Sequence, residues 1–179
     1  MKLAFTGIAG AGKDYLVNYL VKNNNFYRLS FSDQLKKLAT QIYPWLKRDY
    51  QPKIKETPLN LTLPSGEVIT KTPREIWLSL NSLRDVEEGI FIRMLQEEMN
   101  LLHVDNIVIS DIRPQIEWDW CKANNFKTIY IEPVKKIYTP NDFDKNIIDY
   151  KSKADYVFEN DFSGVNKFKE FIKNIILKT

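Results

Sequence analysis

The chain has 179 residues, a formal net charge of +3 and 44% hydrophobic residues. This size and composition suit one α/β domain with a buried core, and the charge is too small to indicate a nucleic-acid-binding surface. A single cysteine, Cys121, excludes an intrachain disulfide, and one histidine, His103, leaves too few ligands for a Cys/His zinc site. No apolar run approaches the roughly 18 residues of a membrane span, so we expect a cytoplasmic protein that does not bind membranes.

The first predicted strand, Lys2–Thr6, runs into a glycine-rich loop and then into a helix. From Gly7 to Lys13 the spacing is G-x-x-x-x-G-K, with Gly10 as a third glycine. Such a loop points successive backbone N–H groups at an anion, and the positive end of the helix dipole faces the same anion. The pattern therefore predicts a phosphate-binding loop with the Lys13 ammonium against a β- or γ-phosphate. The predicted phosphate contacts are Gly7, Ala9, Gly10, Ala11, Gly12, Lys13, Asp14 and Tyr15.

Asp14 follows the lysine, where such loops usually carry a Ser or Thr hydroxyl that meets Mg²⁺. A carboxylate is also a hard oxygen ligand, so Asp14 is predicted to hold Mg²⁺, directly or through water. The alternative is that Asp14 serves only the helix dipole.

The second predicted strand, Tyr27–Phe31, leads into a helix that we expect Ser32 to cap and that ends near Pro44. Asp33 and Lys36 lie in the first turns of this helix. A strand-to-helix junction of this kind opens onto the ligand crevice of an open α/β sheet.

Residues 47–72 are predicted to form an inserted piece. Within it, the segment from Leu59 to Thr70 alternates apolar and polar residues and turns at Pro64-Ser65-Gly66. This pattern predicts a hairpin, which we interpret as a flap.

The next helix begins at Thr72-Pro73-Arg74-Glu75, a capping box with proline at the first helical position. An arginine at a helix N-terminus works against the dipole, which favours a functional reason for Arg74. Arg84 falls near the break between this helix and the next. Both arginines are candidate phosphate contacts, and the alternative is that they are solvated or ion-paired on the surface.

The third predicted strand, Asn106–Ser110, delivers Asp111 and Arg113 to its carboxyl end, where catalytic groups collect in this architecture. Asp111 is predicted to hold Mg²⁺ through water, and Arg113 to stabilise charge on a transferring phosphoryl group. The alternatives are that Asp111 pairs with Arg113 or caps the next helix, and that Glu117 only orients Arg113.

Two more strands are predicted at Lys127–Glu132 and Asp155–Glu159, followed by a helix from about Ser163 with one apolar stripe. Residues 133–153 between these strands are polar, rich in Lys and Asp, and without a convincing period. Because long irregular segments in compact domains are usually functional or mobile, we predict a lid-like segment here.

The alternation of strands and helices predicts a parallel sheet wrapped by helices. Together with the phosphate loop, it predicts an α/β fold of the P-loop NTPase type, with three layers and a mostly five-stranded parallel sheet. Residues 1–179 are expected to form a single kinase domain that carries the flap and the lid-like segment.

The series of motifs resembles that of the phage-type deoxynucleoside monophosphate kinases over nearly the whole chain. That family carries a G-K-D loop, an F-A-D-P-L-K-like motif, T-P-R-E with a downstream Arg, a D-x-R-x-x-x-E strand end and an N-D or N-G pair near the last strand. The matching segments occur here in the same order and are Gly12-Lys13-Asp14, Phe31-Ser32-Asp33-Gln34-Leu35-Lys36, Thr72-Pro73-Arg74-Glu75, Arg84, Asp111-Ile112-Arg113 with Glu117, and Asn160-Asp161.

The resemblance implies an enzyme that transfers the γ-phosphoryl group of ATP to a deoxynucleoside monophosphate, with Mg²⁺ as cofactor. Lys13, Asp111 and Arg113 would be catalytic, and Asp14 and Asp111 would hold Mg²⁺ through water. The residues predicted to bind the acceptor are Ser32, Asp33, Lys36, Arg74, Trp77, Arg84 and Glu117. The expected partners are small nucleotides and not nucleic acid. The expected location is the cytoplasm, which would be the host's if the protein is viral. A homodimer is possible.

Four departures separate the chain from this family. One is that the acidic S-E character often seen before the last strand is missing near Lys151-Ser152-Lys153. Tyr15 stands where Thr is usual after G-K-D, and Gln34 replaces the proline of the second motif. Lid arginines are also missing, so that Lys135, Lys136 or Lys145 would have to cover the phosphates. Trp77 is a candidate for the base pocket, and packing within a core is its alternative role.

Two other functions share part of the pattern. Animal-type phosphomevalonate kinases have a similar G-K-D loop, S-x-x-L-K helix start and S-D-x-R strand end. A nucleotide-dependent switch module would need only the phosphate loop, so the basic residues on the acceptor side argue against it. A nucleic-acid 5′-end kinase is disfavoured because the net charge is weak.

Overall fold

The computed structural model describes residues 1–51, 53–134 and 145–176. The chain divides into two compact units. Unit 1 comprises Met1–Ser30 and Gln96–Thr179, and unit 2 comprises Phe31–Leu95. The phosphate loop, residues 7–13, therefore belongs to unit 1, and the predicted flap belongs to unit 2.

Unit 1 is built on a five-stranded sheet in which every neighbouring pair of strands is parallel. Its strands in chain order are β1 (Lys2–Thr6), β2 (Tyr27–Leu29), β5 (Ile107–Ile109), β6 (Lys127–Pro133) and β7 (Tyr156–Asn160), since β3 and β4 belong to unit 2. Their order across the sheet is β2-β5-β1-β6-β7. The first strand of the chain is thus the central one. Its residues Leu3, Ala4 and Phe5 are fully buried, as continuous apolar runs are in parallel strands covered on both faces.

Four helices of unit 1 lie in the described residues. They are α1 (Lys13–Asn23), α5 (Gln115–Ala123), α6 (Lys145–Lys153) and α7 (Asn166–Ile176). In α7 the side chains of Phe168, Ile172 and Ile175 are buried, which confirms the apolar stripe predicted for the last helix. The ring of Phe168 packs edge-on against Phe5 of β1, with 6.1 Å between ring centroids.

Unit 2 contains α2 (Phe31–Ile42), α3 (Pro73–Ser79) and the start of α4 (Ile90–Asn100). A two-stranded antiparallel hairpin, β3 (Leu61–Thr62) with β4 (Val68–Ile69), lies where a hairpin is predicted. The apolar core of unit 2 is a cluster made of Leu35, Ala39, Leu46, Ile76, Trp77 and Phe91. Two short 3₁₀ turns, Ile54–Glu56 and Leu80–Asp85, complete the described elements of this unit.

The predicted α/β class with a five-stranded parallel sheet is confirmed; β1 has the predicted bounds, and the bounds of the other four strands differ from the prediction by at most two residues. The capping box is also confirmed: the backbone N–H of Glu75 donates to Thr72 Oγ1 at 3.1 Å, and the N–H of Thr72 donates to Glu75 Oε2 at 2.7 Å. No helix in the described part of the chain combines the length and apolar character that crossing a bilayer requires.

The prediction that Ser32 caps the second helix is wrong. That helix, α2, begins at Phe31, so Ser32 lies within its first turn. Because β2 ends at Leu29, only Ser30 separates the strand from the helix, and the helix starts before a cap at Ser32 is reached. Residues 135–144 of the predicted lid-like segment lie outside the described residues, whereas its last part forms α6.

Candidate active site

The phosphate loop leaves the carboxyl end of β1 and passes close to the neighbouring strand β6. Gly7 has a φ of 138°, and a Cβ at this position would lie 2.5 Å from the carbonyl oxygen of Ile131. Gly12, at the other end of the loop, has a φ of 90°, in the left-handed region that side chains rarely adopt. Glycine at both ends is therefore required by the path of the backbone.

Lys13 is the first residue of α1 and lies against the phosphate loop. Its Nζ donates to the carbonyl oxygens of Gly7 at 2.6 Å and Ile8 at 2.9 Å. The N-cap of α1 is Gly12, which has no side chain to occupy the first backbone N–H groups of the helix. A helix start of this kind, with a lysine beside it, is suited to bind phosphate oxygens.

Asn160, at the end of β7, supports the phosphate loop from within the protein. Its side chain is 4% exposed, and its Nδ2 donates to the carbonyl oxygen of Ala11 at 2.8 Å. A Cβ on Gly12 would collide with the same nitrogen atom. The other end of the amide, Oδ1, accepts from the backbone N–H of Phe162 at 3.1 Å. One buried amide therefore fixes both the loop and the turn that follows β7.

Asp161 holds the same turn from its exposed side. Its carboxylate accepts hydrogen bonds from Lys167 Nζ at 2.5 Å and from Ser163, whose backbone N–H lies at 3.0 Å and whose hydroxyl lies at 2.6 Å. The hydrogen bond from Lys167, followed by those from Ser163, holds the pKa of Asp161 well below its usual range. The Asn160-Asp161 pair thus acts on backbone geometry around the phosphate loop.

Asp111 follows β5, the strand beside β1, and is tied to its surroundings by a hydroxyl group. Ser30 Oγ donates to Asp111 Oδ2 at 2.8 Å from the end of β2. The next residue, Ile112, donates its N–H to the Phe5 carbonyl and accepts from Thr6 Oγ1, each at 3.1 Å. Because β1 and β5 are adjacent and parallel, Asp111 and the phosphate loop leave the sheet at the same edge.

Arg113 is exposed, and its backbone is held on both sides. The N–H of Arg113 donates to Glu117 Oε2 at 3.1 Å, and the carbonyl oxygen accepts from the hydroxyl of Tyr150 at 3.1 Å. Glu117 is 2% exposed. This contact corresponds to the orienting role that sequence reasoning treats as the alternative for Glu117, and its acceptor-binding role stays a prediction.

The two carboxylates predicted to bind Mg²⁺ come after two adjacent strands of the sheet, β1 and β5. Asp14 is exposed in the first turn of α1, and Asp111 is half-buried after β5. In the described ranges, no group of three or more His, Cys, Asp or Glu side chains could form a metal cage. Mg²⁺ in kinases is commonly held by one or two carboxylates together with phosphate oxygens and water, so these two side chains fit such a site.

Three of the predicted acceptor residues lie together in unit 2. Lys36 Nζ lies 3.2 Å from Asp33 Oδ1 and 5.5 Å from the centre of the Trp77 ring. Tyr50 packs beside Trp77, with ring centroids 5.8 Å apart. The indole Nε1 of Trp77 is buried and has no hydrogen-bond partner among the described residues. Trp77 lies in the core cluster, as its alternative role requires, and the Lys36 ammonium lies over its ring.

The remaining predicted acceptor residues lie at the surface of unit 2. Arg74 pairs with Glu56 at 2.8 Å, and roughly half of each side chain is exposed. Arg84 lies on the Phe91 ring, 4.8 Å from its centre, and donates to the Glu88 carbonyl at 3.3 Å. Ser32 is exposed in α2. Their binding to an acceptor stays a prediction.

Asn160 and Tyr150 have supporting roles that the sequence does not predict. The only signal for Asn160 was its place in the Asn160-Asp161 pair after the last strand. A polar residue ending an apolar strand beside a phosphate loop is a pattern that could have identified it. Tyr150 lay within the polar segment 133–153, where no periodicity distinguished it.

No protein-family model matches the chain, and no curated protein matches it. Among solved structures, TT1252 from Thermus thermophilus is similar with a TM-score of 0.58 and 16% identity, covering 98% of this chain and 96% of that one. Shikimate kinase from Bacteroides thetaiotaomicron matches with a TM-score of 0.45 and 12% identity, over 96% of this chain and 97% of that one. At such identities a likeness concerns the fold alone. The fold shared with TT1252 is an α/β fold, and in this chain its five-stranded parallel sheet carries a G-x-x-x-x-G-K loop between β1 and α1.

Proposed function

We propose that this protein is an ATP-dependent deoxynucleoside monophosphate kinase. It would transfer the γ-phosphoryl group of ATP to a dNMP, giving dNDP and ADP, and so supply nucleotides for DNA synthesis. The observation that carries the proposal is the arrangement at the carboxyl edge of β1 and β5. The phosphate loop with Lys13 follows one strand, and Asp111 with Arg113 follows its neighbour.

Phosphoryl transfer depends on positioning and positive charge more than on covalent chemistry from the protein. The loop N–H groups and Lys13 would bind the β- and γ-phosphates, and Arg113 would stabilise charge on the transferring oxygens. The attacking oxygen of an acceptor monophosphate is already anionic, so no general base is needed. This chemistry matches the residues at the edge, which include no histidine.

Mg²⁺ would be held through water by Asp14 and Asp111, and it would supply charge neutralisation on the phosphates when bound. Both residues carry oxygen donors at the ends of the elements that present the phosphate loop and Arg113. The exposed position of Asp14 leaves its carboxylate open to a hydrated ion.

Unit 2 supplies the groups proposed for the acceptor. Lys36, Arg74 and Arg84 carry positive charge for the acceptor phosphate, and Trp77, which is buried beside Lys36 and Tyr50, would supply an apolar wall for a base. An exposed Arg–carboxylate pair such as Arg74–Glu56 contributes little free energy, so a phosphate can replace the carboxylate at small cost.

The test is a coupled assay of ADP release with Mg²⁺ and ATP. The acceptors are dAMP, dCMP, dGMP, dTMP, the four ribonucleoside monophosphates and phosphomevalonate, each compared with a reaction that has no acceptor. Turnover with one or more deoxynucleotides, above that with the matching ribonucleotides, is the expected result and would identify the preferred base.

Other outcomes of the same assay would replace the proposal. Turnover with phosphomevalonate alone would identify a small-molecule phosphate kinase on the same loop. No turnover with any acceptor, together with tight ATP binding, would favour a nucleotide-dependent switch.

A further inference from the structure

Arg113, which is predicted to stabilise the transferring phosphoryl group, lies in a segment of irregular backbone between a strand and a helix. It follows β5, which ends at Ile109, and it precedes α5, which begins at Gln115. In this segment Ile112 is held by a backbone hydrogen bond to Phe5 of β1, whereas the backbone groups of Arg113 can be held by side chains. Both backbone groups of Arg113 have such partners.

The N–H of Arg113 donates to Glu117 Oε2, and the carbonyl oxygen accepts from the Tyr150 hydroxyl, each at 3.1 Å. Glu117 is 2% exposed and Tyr150 is fully buried, so neither partner is readily exchanged for water. A hydrogen bond in such a setting is costly to leave unmade. The peptide units on either side of Arg113 are thus held at once.

Tyr150 is itself held in place by aromatic stacking. Its ring lies on Trp118 of α5, with centroids 4.4 Å apart and an angle of 12° between the planes. Trp118 is also buried, at 4% exposure. The phenol reaches Arg113 from α6, which is tied to β6 by Lys151 and Glu132 at 2.6 Å. Two helices therefore determine where the hydroxyl lies.

The phenol of Tyr150 remains protonated at neutral pH. Burial raises its pKa to about 12, and the negative charges of Asp119, Glu117 and Asp149 act in the same direction. A protonated phenol can donate to a carbonyl oxygen, whereas a phenolate cannot. The donor is thus available throughout the range in which kinases work.

We infer that Tyr150 is a positioning residue for phosphoryl transfer, which together with Glu117 clamps the backbone of Arg113 and so orients the guanidinium. This inference rests on the proposed function, since it assigns Arg113 to the transferring group. A guanidinium presented from a clamped backbone loses less conformational entropy when it binds the transition state. In this role Tyr150 acts through its hydrogen bond to the Arg113 carbonyl and is not itself a catalytic residue.

The test uses Tyr150→Phe, which keeps the aromatic stack and removes only the hydroxyl. The matched control is Tyr156→Phe, because Tyr156 lies on β7 and contacts Phe171 edge-on without a role in the site. Loss of one positioning hydrogen bond is expected to lower kcat about five- to tenfold, with KM for ATP and acceptor changed less than about twofold. The control is expected to keep wild-type kcat.

A second comparison separates positioning from a general loss of structure. In an Arg113→Ala background, Tyr150→Phe should cause no further decrease in kcat, because the group that it orients is gone. The same five- to tenfold loss in both backgrounds would overturn the inference. Unchanged kcat in the single Tyr150→Phe variant would overturn it too.

Hydrogen exchange measures the clamp without any reaction. Peptides that cover residues 111–117 should exchange faster in Tyr150→Phe than in the wild type or in Tyr156→Phe. Equal exchange in all three proteins would refute the clamp even if activity fell. A wild type that turns over no acceptor would refute the proposed function instead, and exchange alone would then decide whether the clamp exists.

Discussion

The two units hold their candidate functional residues in different ways. In unit 1 the supporting partners are buried polar side chains, such as Asn160 beneath the phosphate loop and Glu117 beneath Arg113. In unit 2 the basic residues pair with carboxylates that are less buried: Arg74–Glu56 lies at the surface, and Lys36–Asp33 is half-buried. Buried bonds fix a geometry, whereas exposed pairs are weak and exchangeable. Under the proposed function, this difference predicts a rigid site for the phosphates of ATP and an adaptable one for the acceptor.

The largest effect is expected from Lys13→Ala. Removal of one preorganised positive group at the transferring phosphate should lower kcat by about 10²–10³-fold. The melting temperature should change little, because the Lys13 Nζ donates to carbonyl groups of its own loop, Gly7 and Ile8, and is half-exposed. Steady-state kinetics and thermal unfolding measure both quantities.

Lys22→Ala is the matched control for this variant, since Lys22 lies in the last turn of the same helix and is exposed. It should behave as the wild type does. Full activity of Lys13→Ala would contradict the assignment of the loop to phosphate binding.

Arg74→Ala tests the exchangeable side of the comparison. Loss of a charged hydrogen bond to the acceptor phosphate should raise the KM for that acceptor by about 10- to 100-fold, with KM for ATP unchanged. Initial rates at varied acceptor and fixed, saturating ATP give the first value, and the reverse titration gives the second.

Arg93→Ala provides a close control within unit 2. Arg93 pairs with Glu87 at 2.8 Å and has the same 53% side-chain exposure as Arg74. Its replacement should leave both KM values unchanged. An equal effect of the two variants would mean that Arg74 acts only through general surface charge.

Asn160→Ala tests the rigid side. The change leaves the Ala11 carbonyl without its buried donor, which should lower the free energy of unfolding by about 1–3 kcal/mol. ATP affinity should fall as well, because the loop is less well ordered. Denaturant unfolding and calorimetric ATP titration are the measurements, with the exposed Asn18→Ala as control. Unchanged stability and ATP affinity would mean that Asn160 does not order the phosphate loop.

The smallest effect concerns Asp155, which lies at the start of β7, away from the site. Burial alone would raise its pKa, but hydrogen bonds from Lys122 and Thr128 outweigh burial and lower the pKa below its usual value. A lowered native pKa contributes stability above the unfolded pKa of about 3.9, and that stability is lost as pH falls through the native pKa.

Asp155→Asn should therefore lower the melting temperature at pH 7 by about 2–4 °C, and the difference from the wild type should vanish in strong acid. Thermal unfolding followed by circular dichroism from pH 7 downward measures this convergence. A difference that persisted at the lowest pH would mean that shape, and not charge, is what Asp155 contributes.

The features that the sequence predicted correctly are those that depend on residues close together in the chain. The continuous apolar strands, the glycine loop and the Thr72–Glu75 capping box all depend on local spacing, and each lies where it was predicted. The Ser32 cap was wrong because strand and helix are separated by a single residue, a detail of backbone path that spacing does not contain.

The supports of the site were missed because they join distant parts of the chain. Asn160 contacts Ala11 because β7 and β1 lie in the same sheet with only β6 between them. Tyr150 contacts Arg113 because α6 packs against α5. Neither contact has a sequence period or motif. The chemical groups of a site can thus be read from sequence, whereas the groups that hold them require the topology.

The central place of β1 has a consequence for how the chain acquires its fold. Its partners on either side, β5 and β6, begin at Ile107 and Lys127. The first strand therefore stays unpaired until more than half of the chain has been synthesised. Pairing between strands so far apart in sequence is slow, because the chain loses the conformational entropy of the intervening segment before the contacts between the strands stabilise it. We therefore expect nascent chains to bind nucleotide only late in synthesis, and to depend until then on protection of an unpaired apolar strand.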